Sequence, residues 1–290
     1  YIYSYFKDDF YLSKHFVFLQ HGVTKDDVSS WLNGKPISLF ITATEAERQS
    51  IVADGSPYVF TKRQTCLTGF PRHDALVDSI GEEGDSILVM PTWRKSLAGG
   101  MKGGSSERDL NEQFQDSLYK KAWEKLLCDS RLKAIAEETN KKIIFFPHAN
   151  ITPYMEAGYF RVPEYILLAE NDGKSSIQDY FKRASVMITD YSSTAFEQAY
   201  LMKPCIYFQF DIEELFSGAH SYAKGYFDYC LDGFGPVVYS EDDVISELRT
   251  LSKSSYRLQE PYRTRASLAF PFRDGKCCER VYEAISKLDI

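Results

Sequence analysis

One stretch, residues 185–208, constrains the fold more than any other part of the chain. An apolar run at 186–188 predicts a buried strand, which the turn-forming residues 190–193 bring to an end. Apolar residues at helical spacing follow, until Pro204 stops the helix and a second apolar run at 205–208 predicts another strand. A strand, a helix and a strand in this order are typical of α/β proteins with a parallel sheet.

The polar turn inside this stretch predicts an anion site. Ser192 and Ser193 precede the helix, and free backbone N–H groups together with the helix dipole attract phosphate at such a terminus. Asp190 and Tyr191 stand at the carboxyl end of a strand, where open α/β sheets bind ligands. Glu197, one turn along the helix, would reach a ribose if the phosphates sit at the helix start. Simple helix capping by the serines is the alternative explanation.

The composition excludes several classes of protein. An apolar fraction of 44% with many aromatic residues excludes a disordered chain, and a net charge of −7 disfavours nucleic acid as a partner. Because no run of about 18 apolar residues occurs, we expect no transmembrane helix. The six cysteines form no CxxC pair and have no histidine at metal-ligand spacing. We therefore expect reduced thiols in the cytoplasm and no metal site.

Two histidines are predicted to follow buried strands. The run HFVFL ends at His21-Gly22, and KKIIFFPHANI delivers His148 in the same way. Histidine has an unperturbed pKa of about 6.5, so either imidazole is suited to proton transfer near neutral pH. A loop histidine that is satisfied by a carbonyl group is the alternative explanation for His21.

Three further segments carry candidate functional residues. TCLTGFPRHD predicts a short strand, a turn at Gly69, and a helix opened by Pro71 and Arg72, although a simple turn with a solvated arginine fits equally well. The acidic, glycine-bounded residues 81–85 predict a linker. After it, SILVMPTWR predicts a strand that ends at Arg94, whose planar donor fork is suited to phosphate.

The remaining pattern predicts helices and solvated loops. A long helix is expected from about residue 106 to residue 140, with a break near Asp129-Ser130. Asp211 and Glu213 form a small acidic cluster on a loop, which we expect to face solvent and not to bind metal. The tail predicts an amphipathic helix.

Taken in order, these motifs resemble the CDP-glycerol glycerophosphotransferase family, the teichoic acid and capsule polymerases of bacteria. His-Gly, TGxPR, PTWR, a strand-end histidine, TDYSS followed by Glu197, and GPVV run from residue 21 to residue 239. The chain departs from the family in three places. Val23-Thr24 replaces the usual Thr-Pro, Lys25 lies one position early, and Ala149 replaces the proline after the second histidine.

The resemblance implies an α/β fold with two Rossmann-like domains of GT-B type. We expect residues 1–80 to form a partial N-terminal domain on the acceptor side, since the chain begins at Tyr1 and this half is short of strands. Residues 81–290 are expected to form the nucleotide-binding domain, with a C-terminal helix that crosses back to the first.

The resemblance also implies a reaction. An acceptor hydroxyl attacks the phosphorus that bears glycerol or ribitol in a CDP-alditol, and CMP leaves. His21 is the implied base, and His148 is the implied catalytic group that stabilises phosphate charge. The residues expected to bind the donor are Arg94, Asp190, Tyr191, Ser192, Ser193, Thr194 and Glu197. Further candidates are Lys25, Gly69, Pro71 and Arg72.

The implied partners are CDP-glycerol or CDP-ribitol and a lipid-linked or polymeric acceptor, with no nucleic acid, cofactor or metal. We expect a cytoplasmic protein at the inner face of the bacterial membrane, with peripheral association through segments outside this sequence. Three alternatives stay open: a nucleotide-sugar glycosyltransferase of the same scaffold, a binding module without catalysis, and a structural α/β domain. Donor screening distinguishes the first from the transferase, and binding of cytidine nucleotides contradicts the last.

Overall fold

The computed structural model of the chain describes residues 14–97, 99–100, 109–169, 175–212 and 223–288. Within these residues the strands form two sheets, and every strand pair in both sheets is parallel. Helices alternate with the strands along the chain. The predicted α/β class with parallel sheets is confirmed.

The strands are numbered in chain order. They are β1 (Phe16–Phe18), β2 (Ile37–Thr42), β3 (Thr65–Leu67), β4 (Ser86–Val89), β5 (Lys142–Phe145), β6 (Leu167–Leu168), β7 (Ala184–Thr189), β8 (Cys205–Phe208) and β9 (Val237–Val238). The described α-helices are α1 (Ser29–Leu32), α2 (Glu45–Val52), α3 (Leu118–Leu127), α4 (Ser130–Glu138), α5 (Thr152–Glu156), α6 (Ile177–Arg183), α7 (Ala195–Tyr200), α8 (Glu241–Lys253), α9 (Tyr262–Ala269) and α10 (Cys277–Ser286). Short 3₁₀ helices lie at Pro71–Ser79, Lys95–Leu97 and Glu112–Phe114.

The chain divides into two compact units. The first comprises Tyr1–Asp78, Tyr222–Phe227 and Ala266–Ile290, and the second comprises Ser79–Ser221 and Asp228–Arg265. The sheet of the first unit has the order β1-β2-β3, and that of the second has the order β6-β5-β4-β7-β8-β9. The domain limits of 1–80 and 81–290 stay a prediction.

The segment at residues 185–208 lies in the middle of the larger sheet. β7 pairs with β4 on one side and with β8 on the other, and every residue of β7, α7 and β8 is buried. Parallel strands that are covered on both faces need continuous apolar runs, which explains the sequence pattern of both strands. The predicted strand–turn–helix–strand unit is confirmed.

The long helix predicted from about residue 106 is wrong. In the described part of that range α3 begins at Leu118, because the Ser117 side chain caps it by accepting a hydrogen bond from the Lys120 amide at 3.2 Å. The expected break is present: Asp129 caps α4 and accepts from the Arg131 amide at 2.8 Å. Serine and aspartate side chains define helix starts by accepting hydrogen bonds from the first backbone amides, and the spacing of apolar residues alone does not predict where this happens. Residues 101–108 lie outside the described residues.

Each unit has its own apolar core. In the second unit α3, α4 and α8 contribute Trp123, Ile135 and Leu248 to one buried cluster with strand residues such as Phe208. The Trp123 and Phe208 rings meet edge to face, with centroids 5.3 Å apart, a favourable geometry for aromatic pairs. In the first unit a smaller cluster includes Leu32, Phe40 and Ile51. Within the described ranges no helix has the length and apolar composition that crossing a membrane requires.

The approach of β9 to β8 depends on a glycine. A Cβ atom at Gly235 would lie 1.8 Å from the carbonyl oxygen of Cys205 in β8. We expect Gly235→Ala to lower the free energy of unfolding by about 1–3 kcal/mol, since strand backbone must shift to admit the methyl group. Urea unfolding measures this change. Gly34→Ala, which has no heavy atom within 4 Å of the added carbon, is the control and should change stability by less than about 0.5 kcal/mol.

Candidate functional site

The carboxyl ends of the strands in the second unit bring several predicted residues to one edge of the sheet. Trp93 and Arg94 follow β4, His148 follows β5, and Asp190 and the turn after it follow β7. Because these strands are parallel and adjacent, their carboxyl ends share one edge, which is where open α/β sheets bind ligands.

Arg94 forms a buried ion-pair cluster with Asp190 and Asp211. Its Nε donates to Asp211 Oδ2 at 2.7 Å and its Nη2 to Asp211 Oδ1 at 3.1 Å. Nη2 also lies 2.8 Å from Asp190 Oδ2, and Nη1 donates to the Thr92 carbonyl at 2.7 Å. Burial opposes the charge on Arg94, but attraction to Asp190 and Asp211 outweighs this and raises the pKa. The cluster joins the ends of β4, β7 and β8.

These contacts show that Arg94 and Asp190 stabilise the edge of the sheet. Asp190 is fully buried and also accepts hydrogen bonds from the Thr92 amide at 2.8 Å and the Tyr191 amide at 2.7 Å. With the guanidinium nitrogens directed at protein oxygens, the geometry does not favour the phosphate contact expected for Arg94. Donor binding by Arg94 and Asp190 stays a prediction.

Asp211 is a residue that the sequence interpretation missed. The expectation that it faces solvent is wrong, since its side chain is only 5% exposed and pairs with Arg94. Asp211 comes three residues after β8 ends, so the strand-end rule that selected Asp190 would have selected it too. Its neighbour in the predicted acidic cluster, Glu213, lies outside the described residues.

Tyr191 belongs to the same cluster. Its ring lies under the Arg94 guanidinium, with 5.0 Å from Cζ to the ring centroid, and its hydroxyl donates to Asp211 Oδ1 at 3.2 Å. Burial and then the charge of Asp211 raise the pKa of the Tyr191 phenol, so it stays protonated as a donor. The structure thus places Tyr191 with Arg94 and Asp211, while nucleotide binding by Tyr191 stays a prediction.

The turn at 192–194 differs from the expected helix cap. Thr194 occupies the position before α7, and no side chain caps the helix there. Instead Ser192 Oγ accepts from the Thr194 amide at 3.2 Å and lies 2.7 Å from Thr194 Oγ1. The first three amides of α7 donate back to the carbonyls of 192–194 at 3.0–3.4 Å. From the sequence we expect these N–H groups to be free, and they are not. Ser192, Ser193 and Thr194 are half-buried, which leaves part of each side chain accessible.

Glu197 lies on α7 as the sequence indicates. Its side chain is 4% exposed, so the structure gives it a buried environment close behind the turn at 192–194. Its carboxylate carries acceptor oxygens, the kind of atom that ribose hydroxyls would bind. Ribose binding by Glu197 stays a prediction.

His148 is held in a defined orientation after β5. Its ring stacks on Trp93, with centroids 6.4 Å apart and an interplanar angle of 17°, and its Nδ1 accepts from the Asn150 amide at 3.2 Å. Desolvation by surrounding residues lowers the pKa of His148, although the side chain keeps exposed surface. The neutral imidazole with Nδ1 as acceptor carries its proton on Nε2. His148 therefore presents a hydrogen-bond donor at the carboxyl edge of the sheet.

His21 lies in the first unit, on the loop that follows β1. The side chain is exposed, and its ring centroid is 6.5 Å from that of Phe18. Lys25 on the same loop is 4% exposed, and its Nζ lies 2.5 Å from Asp26 Oδ2. The structure thus exposes the histidine while it buries the lysine. The catalytic role of His21 and the binding role of Lys25 stay predictions.

The TGxPR motif supports this loop and the C-terminal helix. Arg72 is not simply solvated, because its Nη1 donates to the Gln20 carbonyl at 3.3 Å and its guanidinium stacks on Phe70. Gly69 has a φ of 75°, and a Cβ atom there would lie 2.5 Å from Cys277 Sγ in α10. Pro71 begins the 3₁₀ helix. These contacts are sufficient to explain the motif structurally, and a ligand role for its residues stays a prediction.

Acidic side chains at this edge pair with arginine and do not gather into a metal site in the described residues. In the part of the chain that the structure describes, no group of three or more His, Cys, Asp and Glu side chains is arranged to hold a metal ion. The buried acidic pair Asp190–Asp211 is instead bridged by Arg94.

A substitution of Arg94 distinguishes a structural role for this arginine from a role as a phosphate ligand. We expect Arg94→Met to lower the free energy of unfolding by about 3–5 kcal/mol, because two buried carboxylates lose their partner. Lys95→Met, at an exposed position next in sequence, is the control and should leave stability unchanged. Urea unfolding and CDP titration of both variants measure the outcome. An Arg94→Met protein with unaltered stability and much weaker CDP binding would contradict the structural role.

The chain is similar in sequence to curated proteins of teichoic acid synthesis. The chain is 37% identical over 287 residues to the minor teichoic acid biosynthesis protein GgaB of Bacillus subtilis (strain 168), a match that covers 98% of this chain and 30% of that protein. It is 24% identical over 238 residues to a teichoic acid poly(glycerol phosphate) polymerase of the same strain, covering 77% of this chain and 28% of that one. The chain thus spans less than a third of the length of these curated relatives.

The fold is similar to that of a solved polymerase. A variant of the wall teichoic acid polymerase TagF superposes with a TM-score of 0.63 at 18% identity, covering 94% of this chain and 68% of that one. The sequence model of the CDP-Glycerol:Poly(glycerophosphate) glycerophosphotransferase family matches residues 19–287. The resemblance drawn from the motifs is confirmed. The chain belongs to the CDP-glycerol:poly(glycerophosphate) glycerophosphotransferase family.

Proposed function

We propose that the chain transfers glycerol phosphate or ribitol phosphate from a CDP-alditol to an acceptor hydroxyl in teichoic acid synthesis, with release of CMP. The family match supports the reaction class. The observation that carries the proposal is the donor N–H of His148, held on Trp93 at the carboxyl edge of the sheet that also carries the turn at 192–194. A TagF structure obtained with CDPG supports the choice of donor for this chain.

The reaction makes two chemical demands. The acceptor oxygen forms a bond to the phosphorus that bears the alditol, while the bond from that phosphorus to the oxygen of CMP breaks. The hydroxyl proton must pass to a base, and negative charge that builds on the departing phosphate must be stabilised. A histidine can take up a proton near neutral pH, so we assign proton removal to the exposed His21.

His148 is suited to the second demand. Its Nδ1 is occupied by the Asn150 amide, and its lowered pKa favours the neutral ring, so Nε2 carries the proton. A neutral N–H donor can hydrogen-bond to a phosphate oxygen as charge develops there, and stacking on Trp93 restricts the ring beforehand. We therefore assign His148 to the phosphates of the donor.

The remaining donor contacts are assigned to the turn after β7 and to α7. The partly accessible hydroxyls of 192–194 supply donors for phosphate, and Glu197 supplies an acceptor for ribose hydroxyls. The acceptor is proposed to be lipid-linked or polymeric, which would place the reaction at the inner face of the cell membrane. Charge-assisted contacts of this kind contribute about 1.5–3 kcal/mol each.

Donor screening tests the reaction class. The chain is incubated with an alditol-phosphate acceptor and with CDP-glycerol, CDP-ribitol or UDP-N-acetylglucosamine in turn, and released CMP or UDP is measured. We expect acceptor-dependent CMP release from a CDP-alditol and no UDP release. Transfer from the UDP-sugar alone would identify a glycosyltransferase, and no binding of any cytidine nucleotide at millimolar concentration would contradict the proposal.

The two histidines should fail differently when substituted. His21→Ala should lower turnover by about 10²–10⁴ with little change in CDP affinity, because a base touches the acceptor and not the nucleotide. His148→Ala should lower turnover and also weaken CDP binding. Turnover, CDP affinity and melting temperature are measured for each variant, with the exposed His15→Ala as control. Full activity in a folded His21→Ala protein would remove the proposed base.

A further inference from the structure

A buried carboxylate lies within the first unit beside the loop that carries His21. Glu47 is fully buried on α2. Its Oε1 accepts hydrogen bonds from the Thr24 amide at 2.6 Å and from Gln20 Nε2 at 3.0 Å, while Oε2 accepts from the Ala43 amide at 2.8 Å. Two of these three donors belong to the loop itself, one on each side of His21. The carboxylate therefore ties both sides of the histidine to one helix.

Gln20 completes this arrangement from the loop side. It directly precedes His21, is 8% exposed, and has a φ of 64° in the left-handed region that residues with a Cβ rarely adopt. Besides its bond to Glu47, Nε2 donates to the Ile41 carbonyl at 2.5 Å, and Oε1 accepts from Thr24 Oγ1 at 2.5 Å. A conformation of this kind persists only where the surroundings hold it in place. Here the side-chain contacts of Gln20 do so, and they fix the direction in which the backbone enters His21.

Helix capping does not account for the burial of Glu47. Thr44 and Glu47 have the spacing of a capping box, and Thr44 Oγ1 does accept from the Glu47 amide at 3.1 Å. An exposed carboxylate would serve a helix start equally well, as that of Glu45 does on the same turn. Burial instead raises the pKa of Glu47 to about 7 against the lowering effect of its hydrogen bonds, which shows that placing a charge there is unfavourable by itself. The contacts to the loop are what this position gains.

We infer that Glu47 is a positioning residue for His21: through Gln20 and the Thr24 amide its carboxylate fixes the loop that presents the imidazole to the acceptor. The inference rests on the proposed function of His21 as the base. Every contact that the three donors make requires an acceptor oxygen, so the arrangement is specific for a carboxylate.

Glu47→Gln tests this role with little change in shape. In either orientation of the new amide its NH₂ group faces an N–H donor, since Oε1 accepts from the two loop donors and Oε2 from the Ala43 amide. The side chain must therefore shift, and the loop bound to it is displaced without emptying the site. We expect turnover of CDP-glycerol to fall up to about 100-fold, since misplacement by about 1 Å is sufficient for such a loss. The KM for the donor and the affinity for CDP should stay within about twofold, because the assigned donor contacts lie in the second unit. Glu45→Gln, exposed on the same helix turn, is the control and should match the wild type.

A double variant separates positioning from an independent effect. A positioning group acts only through the residue that it positions, so His21→Ala with Glu47→Gln should be no slower than His21→Ala alone. Hydrogen exchange at the Thr24 amide should accelerate in folded Glu47→Gln. If Glu47→Gln does not fold, Gln20→Ala removes the loop side of the contact while it leaves the helix start intact, and the same loss of turnover is expected.

The outcomes distinguish this inference from the proposed function. Full turnover in His21→Ala contradicts the base assignment itself. A slow His21→Ala with full turnover in folded Glu47→Gln, or in Gln20→Ala if Glu47→Gln does not fold, contradicts only the role of Glu47. The role of Glu47 is also contradicted if the double variant is slower than His21→Ala by the factor that Glu47→Gln alone causes.

Discussion

The arrangement of the candidate site depends on one buried guanidinium. Arg94 holds two carboxylates that come from the ends of different strands, and each of these also fixes further groups of the edge. Taking three charges out of water is unfavourable, and it is tolerated only where geometry and additional hydrogen bonds are good. Here the bonds to Asp211 form a two-pronged pair, and Asp190 accepts two backbone amides as well. The cluster therefore fixes the strand ends that carry the candidate site residues.

Trp93 connects the ion-pair cluster to His148. The tryptophan lies between Thr92, whose amide is bound by Asp190, and Arg94, so its backbone is fixed on both sides. Its ring then stacks on the imidazole. A short chain of contacts thus leads from a buried ion pair to an exposed histidine. In the first unit the loop of His21 is positioned differently. Gln20, which has a strained positive φ, is held there by the buried carboxylate of Glu47.

The sequence allowed most of the strands to be predicted, because parallel strands that are covered on both faces leave continuous apolar runs. The same reasoning indicated that His148 and Asp190 follow strands. It did not indicate how Arg94 is used, since Asp211 is 117 residues away in sequence and nothing local announces the pair. Glu47 was missed for the same reason: on α2 it reads as a surface residue, and its partners come from a loop more than twenty residues earlier. The predicted start of a helix was wrong where a capping side chain, such as that of Ser117, set the first residue and the spacing of apolar residues did not.

The attachment of α10 has a consequence for the order in which the molecule can assemble. Asp74 accepts hydrogen bonds from the amides of Cys277 and Cys278 at the start of this helix, across a separation of more than 200 residues. The ribosome makes residues 79–265 before it makes this helix, so the second unit can fold while the first still lacks a part of its structure. Contacts between distant segments form late because a long loop must close first. The loop that carries His21 therefore lies in the unit that is completed last, and the chain can hold a finished second unit before the unit with its proposed base is complete.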